Sequence, residues 1–419
     1  MSTTETEAPT TQIGFALNED QLAIKDWIHD FAENTVRPAA HEWDEREETP
    51  WPIIQEAAKI DLYSLDGLAQ LWADPTGLTL PVVQEELFWG DAGIGMAIMG
   101  TTLGVAAILG QGTGDQIGEW VPRCFGTKDD VKVAAFCSSE PGSGSDVSAI
   151  RTTAKYDEKT DEWVLNGQKA WATNGGIADV HVVIATVDPS LKARGHAAFV
   201  ISKDETKGIT QGSKVKKHGL RASHTSDVNL DECRVPGSAL LGGKDKLDER
   251  LARAREGTKS KGNASMATFE ASRPTVGAQA LGIARAAYDY ALEYAKGREQ
   301  FGRPIIDNQA IAFKLADMKM EIDAARLLVW RAAWMGAGIF RGEQPKFENA
   351  EGSMAKLKAG TVATWATGEA MQILGGVGYT REYPVERMHR DSRIYEIFEG
   401  TSEIQRLVIS RAISGYRIR

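Results

Sequence analysis

Cysteine is scarce in this chain. Cys124, Cys137 and Cys233 make an odd set with no C-x-x-C spacing, which excludes a readable disulfide framework or zinc site. That usage fits a reducing compartment, expected here to be the cytoplasm. Histidine is also sparse, seven in 419 residues, with no H-E-x-x-H and no metal-ligand cluster. No G-x-S-x-G elbow is present, so nucleophilic hydrolase chemistry has no support. Positive charge is short as well. A net charge of −10 argues against non-specific binding of nucleic acid or anionic membranes, both of which need surplus Lys and Arg. The start, Met1 to Thr11, is rich in Thr and Glu and lacks a basic segment followed by an apolar one. It reads as a disordered lead and not as a signal peptide. One long stretch lacks charge, Ala92 to Gly114, 23 residues with seven glycines. Thr101, Thr102, Gln111 and Thr113 add polarity there, so a buried helix with small packing faces is expected in place of a bilayer crossing.

What is present is ordinary for a globular protein, 42% hydrophobic and 25% charged, and long enough for two or three domains. After a lead over 1–17, residues 18–130 read as a helical domain. Leu22, Trp27, Ile28 and Phe31 recur at helical spacing behind an Asn18/Gln21 capping pair. The period then changes. Val131 to Ser138, Glu162 to Asn166, Val180 to Val187, His196 to Ser202 and Val228 to Leu230 read as strands, with Asn166-Gly167 and Asn174-Gly175 as hairpin-type turns. Residues 131–241 are thus expected to form an antiparallel β domain. Residues 242–264 are a charged insert of both signs, either a solvated helical excursion or a mobile loop. From 265 to 419 the helical period returns, over Val276–Lys296, Asn308–Arg341, Glu351–Leu374 and Thr401–Ile413, which implies a four-helix bundle. The order is α, then β, then α. With no βαβ repeat, a Rossmann-type sheet is excluded.

Five stretches carry chemical potential. In Ile397–Arg406 a carboxylate, Glu399, precedes a glycine and a helix start at which Ser402 and Gln405 have capping-box spacing; a dipole-stabilised acid is the plainer alternative. Phe136–Val147 places Gly142, Gly144 and several serines directly after a strand, where backbone N–H groups can approach a ligand closely; a Gly/Ser-rich connection is the alternative. The spacing matches neither a P-loop nor G-x-G-x-x-G. Trp171 and Thr173, two apart on a strand, would share a face suited to a flat aromatic cofactor, or simply pack on the sheet. Gly297–Pro304 offers Arg298 and Arg303 as bidentate donors, or as solvated loop residues. Gln372–Tyr379 is a helix end broken by glycines, a C-cap or a close approach to a ligand or subunit.

Together and in this order, these stretches resemble the acyl-CoA dehydrogenase family of flavoenzymes. The resemblance runs from about residue 18 to the end and rests on EPGSGSD (140–146), NGQKxWxTNGG (166–176), SRP (272–274), REQFGRP (298–304), QxLGGxGY (372–379) and RDSRIxEIFEGTSEIQR (390–406). It implies a helical N-terminal domain, a middle β domain and a C-terminal four-helix bundle, assembled as a homotetramer that holds FAD near subunit interfaces. Phe136, Cys137, Ser138, Ser139, Gly144 and Ser145 would line the FAD and the acyl thioester, with Trp171, Ala172 and Thr173 against the isoalloxazine. Arg298, Gln300, Phe301, Gln309, Gln372, Gly375 and Gly376 would reach the FAD of a neighbouring subunit, and Thr401 and Glu403 would complete the cofactor site. Ser145, Ser272, Arg273 and Gly400 would line the substrate pocket.

The resemblance makes Glu399 the catalytic base. It would take the α-proton of an acyl-CoA while the β-hydrogen leaves as hydride to flavin N5, giving a trans-2-enoyl-CoA, with an electron-transfer flavoprotein as reoxidant. Some relatives carry the base on the helix around SRP; the matching position here is Ser272, which cannot serve, and Glu270 lies roughly 200° away round a helix. Two departures stand out. Leu65 to Leu78 lacks a Gly-rich loop that many members carry, and the 242–264 insert is long. Oxidase, desulfinase or nitroalkane chemistry on the same scaffold is the alternative, although Glu399 counts against the nitroalkane variant. A non-enzymatic flavin-binding or DNA-associated relative is a third reading, opposed by the acidic charge and the intact base.

Overall fold

The computed structural model describes residues 16–257, 264–337 and 347–418, and the side chains of all these except 264–271. Among the described residues eight α-helices come first: α1 (Glu19–Phe31), α2 (Arg37–Arg46), α3 (Trp51–Lys59), α4 (Leu65–Trp72), α5 (Thr79–Gly90), α6 (Ala92–Met99), α7 (Thr101–Gln111) and α8 (Gly114–Phe125). Strands β1 (Ala134–Cys137), β2 (Thr153–Asp157), β3 (Glu162–Thr173), β4 (Val180–Thr186), β5 (His196–Ser202), β6 (Ile209–Gln211) and β7 (Thr225–Pro236) follow. Then come α9 (Lys244–Arg255) and the long α10 (Ala264–Gly297), a short hairpin of β8 (Glu299–Gln300) and β9 (Arg303–Pro304), and α11 (Gln309–Gly336), α12 (Glu351–Leu374), α13 (Pro384–Ser392) and α14 (Ser402–Ser414). The helical–sheet–helical plan agrees with the expectation. The chain gathers into two compact units, one from residues 1–37, 69–92 and 269–419, the other from 38–68 and 93–268.

The first unit is helical. Asn18 starts α1 with a reciprocal cap, accepting from Gln21 N at 2.8 Å while Gln21 Oε1 accepts from Asn18 N at 3.0 Å. Asp74 gathers the turn before α5 by accepting from the backbone N–H of Thr76, Leu78 and Thr79. Helices α5 and α10 meet almost backbone to backbone: a Cβ on Gly282 would stand 2.5 Å from Glu85 O and 2.8 Å from Trp89 N. Charge is buried there in satisfied form. Glu85 accepts from Arg326 Nη2 at 2.8 Å and Arg285 Nη1 at 3.1 Å, and Arg387 Nε donates to Asp91 at 3.0 Å. The small-residue face of α12 (Ala355, Ala359, Ala363, Ala366, Ala370) is fully buried. Gly360 on that face lets the Tyr395 carbonyl approach; an added Cβ would lie 2.7 Å from it. The expected helix over Glu351–Leu374 is α12 to the residue. The expected Asn308–Arg341 helix closes at Gly336, and its last residues lie outside those described.

The second unit is built on a seven-stranded sheet of order β1-β4-β2-β3-β7-β6 with β5 also on β4. Most of its ladders are antiparallel, β3 with β7 being the longest, but β1 and β2 meet β4 in parallel. Three local expectations change. Asn166-Gly167 is no hairpin turn: it sits inside β3 at a bulge against β7, with Gly167 at φ +152°, and the β2–β3 reversal falls at Glu158–Asp161 instead. Asn174-Gly175 ends β3 without pairing two strands in a tight hairpin. The charge-free stretch 92–114 is broken into α6 and α7 at Gly100, where a Cβ would meet the Thr173 methyl at 2.7 Å. Ala92–Gln111 is long and apolar enough to cross a bilayer by composition, yet 78% of its window is buried inside the protein, as a core helix requires. The first part of the charged insert is helix α9, tied to the sheet unit through Arg255–Asp188 at 2.9 Å; residues 258–263 lie outside those described.

Candidate functional site

In the helical unit, a 3₁₀ turn over Arg393–Glu396 leads into Ile397–Gly400, and both Glu399 (φ +53°) and Gly400 (φ +87°) take left-handed backbone. That conformation costs a non-glycine residue roughly 1–2 kcal/mol, so something must hold it. Gln405, fully buried on α14, donates from Nε2 to the carbonyls of both Glu399 and Gly400 at 3.0 Å. Lys356 of α12, 1% exposed, donates from Nζ to the Gly400 carbonyl at 2.8 Å. The helix cap is Thr401, whose hydroxyl accepts from Ile404 N at 3.3 Å. The expected Ser402/Gln405 capping box is therefore displaced by one residue, because Gln405 is used on the loop. Tyr395, buried, stacks edge-on against Phe398 with centroids 4.9 Å apart and closes the loop from below.

The Glu399 carboxylate itself is left uncommitted to this scaffold and is half-buried. Burial pushes its pKa above the usual carboxylate value, opposed by the positive charges of Lys356 and then Arg273. Arg273, on α10, is buried and donates from Nη1 to Ser353 Oγ at 2.5 Å. An acid made more basic by its surroundings, beside two buried cations, can take a proton from a weak carbon acid and stabilise the developing anion. Ser272 is half-buried beside Arg273, and the side chain of Glu270 lies outside those described.

In the sheet unit, the loop after β1 is fixed by a buried ion pair. Lys169 Nζ lies 2.8 Å from Glu140 Oε1 and donates to Ser138 O at 3.0 Å. Glu140 also accepts from the backbone N–H of Arg151 at 2.6 Å and Thr152 at 2.9 Å, and Ala170 N donates to Ser139 O at 2.9 Å. The loop tip is open. Added Cβ atoms on Gly142 or Gly144 would meet nothing within 4 Å, and Ser145 is exposed. Packing within the chain thus does not demand these glycines, which fits a loop whose backbone is approached by a ligand. Trp171 stands at a bulge of β3 with φ +62° and is 65% exposed. A bulky aromatic held in left-handed backbone and presented outward fits a platform for a planar group. The bulge breaks the simple alternation expected for Trp171 and Thr173: Thr173 turns its methyl to Gly100. Cys137 and Ala172 bury their side chains, so only their backbone is available to a cofactor.

The remaining positions sit on the surface of the helical unit. Arg298, Gln300 and Gln309 are exposed around the β8–β9 hairpin, and Phe301 at its tip is 97% exposed with φ +55°. Gln372, Gly375 and Gly376 are exposed at the C-terminus of α12, where neither glycine would bring a Cβ within 4 Å of another atom. Glu403 is exposed on the first turn of α14. The fold thus brings Glu399, Gly400, Thr401 and Arg273 together with Lys356, which the sequence did not single out, and Gln405, which it offered only as a capping residue.

Family comparison agrees over almost the whole chain. Residues 18–127 match the acyl-CoA dehydrogenase N-terminal domain, 135–233 its middle domain, and 261–414 its C-terminal domain. The chain belongs to the acyl-CoA dehydrogenase family. It is 39% identical over 404 residues to the short-chain specific acyl-CoA dehydrogenase of Bos taurus mitochondria, covering 96% of this chain and 92% of that one. Among solved structures it is similar to butyryl-CoA dehydrogenase from Megasphaera elsdenii, with TM-score 0.81 and 34% identity over 96% of this chain and 100% of that chain. It is also similar to a glutaryl-CoA dehydrogenase from Mycobacterium smegmatis in complex with FADH2, with TM-score 0.76 and 27% identity over 96% of each chain. The protein is accordingly an oxidoreductase of the acyl-CoA dehydrogenase class, and acyl-CoA dehydrogenases bind FAD. The open glycines after β1 and the outward Trp171 fit that cofactor.

Proposed function

We propose that the chain converts an acyl-CoA to a trans-2-enoyl-CoA, with Glu399 as the base that removes the α-proton. The observation that carries this reading is the Glu399 loop: its backbone is clamped by Gln405 and Lys356 while its carboxyl is left free, and burial makes that carboxyl a stronger base. Arg273, whose charge acts on that carboxyl, is bound to Ser353, with Ser272 and Gly400 as pocket lining, and the cationic surroundings favour an enolate-like charge on the thioester. When bound, FAD supplies the acceptor for the β-hydrogen at N5. The backbone of Phe136, Cys137, Ser138, Ser139 and Ala172, the glycine at 144, Ser145, Trp171 and Thr173 would hold and orient it, with Thr401 at the cap of α14 and Glu403 on its first turn.

Arg298, Gln300, Phe301, Gln309, Gln372, Gly375 and Gly376 would serve the cofactor of another copy in a homotetramer. Supporting this are the bare Phe301 tip and an exposed apolar line on α11, Phe313, Met320 and Leu327, at heptad spacing. An electron-transfer flavoprotein is the proposed reoxidant, and the three free buried thiols support residence in a reducing compartment such as the cytoplasm. The division into a lead (1–17), helical domain (18–130), β domain (131–241), insert (242–264) and bundle (265–419) remains our reading of the sequence.

Anaerobic titration of the FAD-loaded protein with a panel of saturated acyl-CoAs tests the proposal. Wild type should bleach, and Glu399→Gln should keep its FAD and not bleach. Bleaching of Glu399→Gln at the wild-type rate overturns the base assignment. Rapid reoxidation of the bleached wild type by O₂ with peroxide release would move the reading to an oxidase.

A further inference from the structure

Lys356 is a buried cation in an unusual position. Its side chain is 1% exposed, yet its hydrogen bond goes to a neutral carbonyl, Gly400 O at 2.8 Å, and not to a carboxylate. Among the described residues the other fully buried lysine, Lys169, sits on Glu140 at 2.8 Å. An ammonium taken out of water without a paired anion is costly, and a site with only a packing role would be better filled by an apolar side chain. Its position on α12 sharpens the point: Ala359, Gly360 and Ala363, three, four and seven residues on, are all buried. Something in the site must offset the charge.

We propose that Lys356 is a positioning residue for the base: it anchors the left-handed Glu399–Gly400 turn through the Gly400 carbonyl and holds the Glu399 carboxylate ionised and ready for the α-proton. This rests on the reading of Glu399 as the base. The charged groups around it come from four elements: Arg273 on α10, Lys356 on α12, Glu396 on the 3₁₀ turn and Glu403 on α14. Burial raises Glu399, and Lys356 is the foremost charge opposing that rise, ahead of Arg273. Reciprocally, burial lowers Lys356 to about 8, with Glu399 the strongest group holding its proton on. Gln405 shares the mechanical task, since it grips the Gly400 carbonyl and that of Glu399 as well, but it carries no charge. The two contributions of Lys356 can therefore be separated.

The test is the pH profile of flavin reduction in single turnover, on FAD-loaded protein, with a straight-chain saturated acyl-CoA that bleaches the wild type. Lys356→Gln keeps a donor for Gly400 O and removes the charge. Its acid limb should move to higher pH by about one pH unit or more, the lower end of what an opposite charge does to a nearby carboxyl. At pH values below that limb its rate should fall about tenfold for each pH unit that the limb has moved, and it should recover at higher pH. Lys356→Arg, which keeps charge and donors, should stay near the wild-type profile. The protonated-carboxyl infrared band that vanishes in Glu399→Gln should titrate with the same displacement in Lys356→Gln, independently of turnover. A Lys356→Gln profile and infrared titration that superimpose on wild type overturn the inference, as does a fall in rate by the same factor at every pH. If Lys356→Gln does not fold, Lys356→Met and Lys356→Arg are compared in the same way. Failure of the underlying reading looks different, because Glu399→Gln would then still bleach.

Discussion

The buried pair beneath the loop after β1 yields a quantitative expectation. Lys169→Met fills the lysine's channel with a chain of similar length but removes the partner of a carboxylate whose side chain is 7% exposed, against 0% for the lysine. Breaking a buried pair from one side costs about 3–5 kcal/mol, because the remaining charge is left in a dry site. Glu140 keeps two backbone donors, Arg151 N and Thr152 N, so the lower end applies. We expect about 3 kcal/mol, roughly a hundredfold in the folding ratio. The pH dependence fixes the mechanism. Burial by itself would raise the Glu140 pKa, but Lys169 and the Thr152 and Arg151 donors bring it below the ordinary value. A lowered folded pKa means that Glu140 contributes stability above the carboxylate range and loses it as pH falls through the folded pKa. Without Lys169 burial wins and the folded pKa rises. The deficit of Lys169→Met should then be largest at neutral pH and shrink as pH falls toward about 4, where the unfolded glutamate also takes a proton. Urea denaturation in saturating FAD at about pH 7 and about pH 4 measures this, and Lys169→Met/Glu140→Gln should recover most of the loss. A deficit under about 1 kcal/mol at neutral pH, or an equal one at both pH values, refutes the reasoning.

Other expectations follow from backbone geometry. Gly282→Ala should cost about 1–3 kcal/mol, since its Cβ would press within 2.5 Å of Glu85 O, whereas Gly118→Ala on α8, with nothing within 4 Å, should gain about 0.5–1 kcal/mol; urea midpoints separate the two. Trp171→Gly should relieve left-handed strain and raise the stability of FAD-free protein by about 1 kcal/mol, while weakening FAD binding in a fluorescence titration. Unchanged FAD affinity in Trp171→Gly would dismiss the platform role.

Much of this architecture can be read from the sequence, because long amphipathic helices and the change to a two-residue period are local properties. Helix α12 is recovered end to end, and Glu399 stands out by its motif. Other features are invisible because they are tertiary. Gln405 looks like a capping residue until the fold brings the Glu399 carbonyl to it, and Thr401 then takes the cap. Asn166-Gly167 has the composition of a turn, but the long β3–β7 ladder absorbs it as a bulge. Trp171 reads as one more alternating strand residue, since β propensity carries no sign of φ. Lys356 did leave a trace: a lysine on the alanine stripe of α12, while Lys358 two residues later turns out to Glu321.

Both clamps on the Glu399 loop donate their hydrogen bonds to carbonyl oxygens and none to the side chain. The hydrogen-bonded turn and the proposed base are therefore separate parts. An altered side chain at 399 keeps every hydrogen bond that shapes the turn; what it gives up is the charge that faces Lys356. On the proposed role of Glu399, a single codon change there alters the chemistry while the hydrogen bonds of the frame stay in place, which gives the scaffold room to diversify.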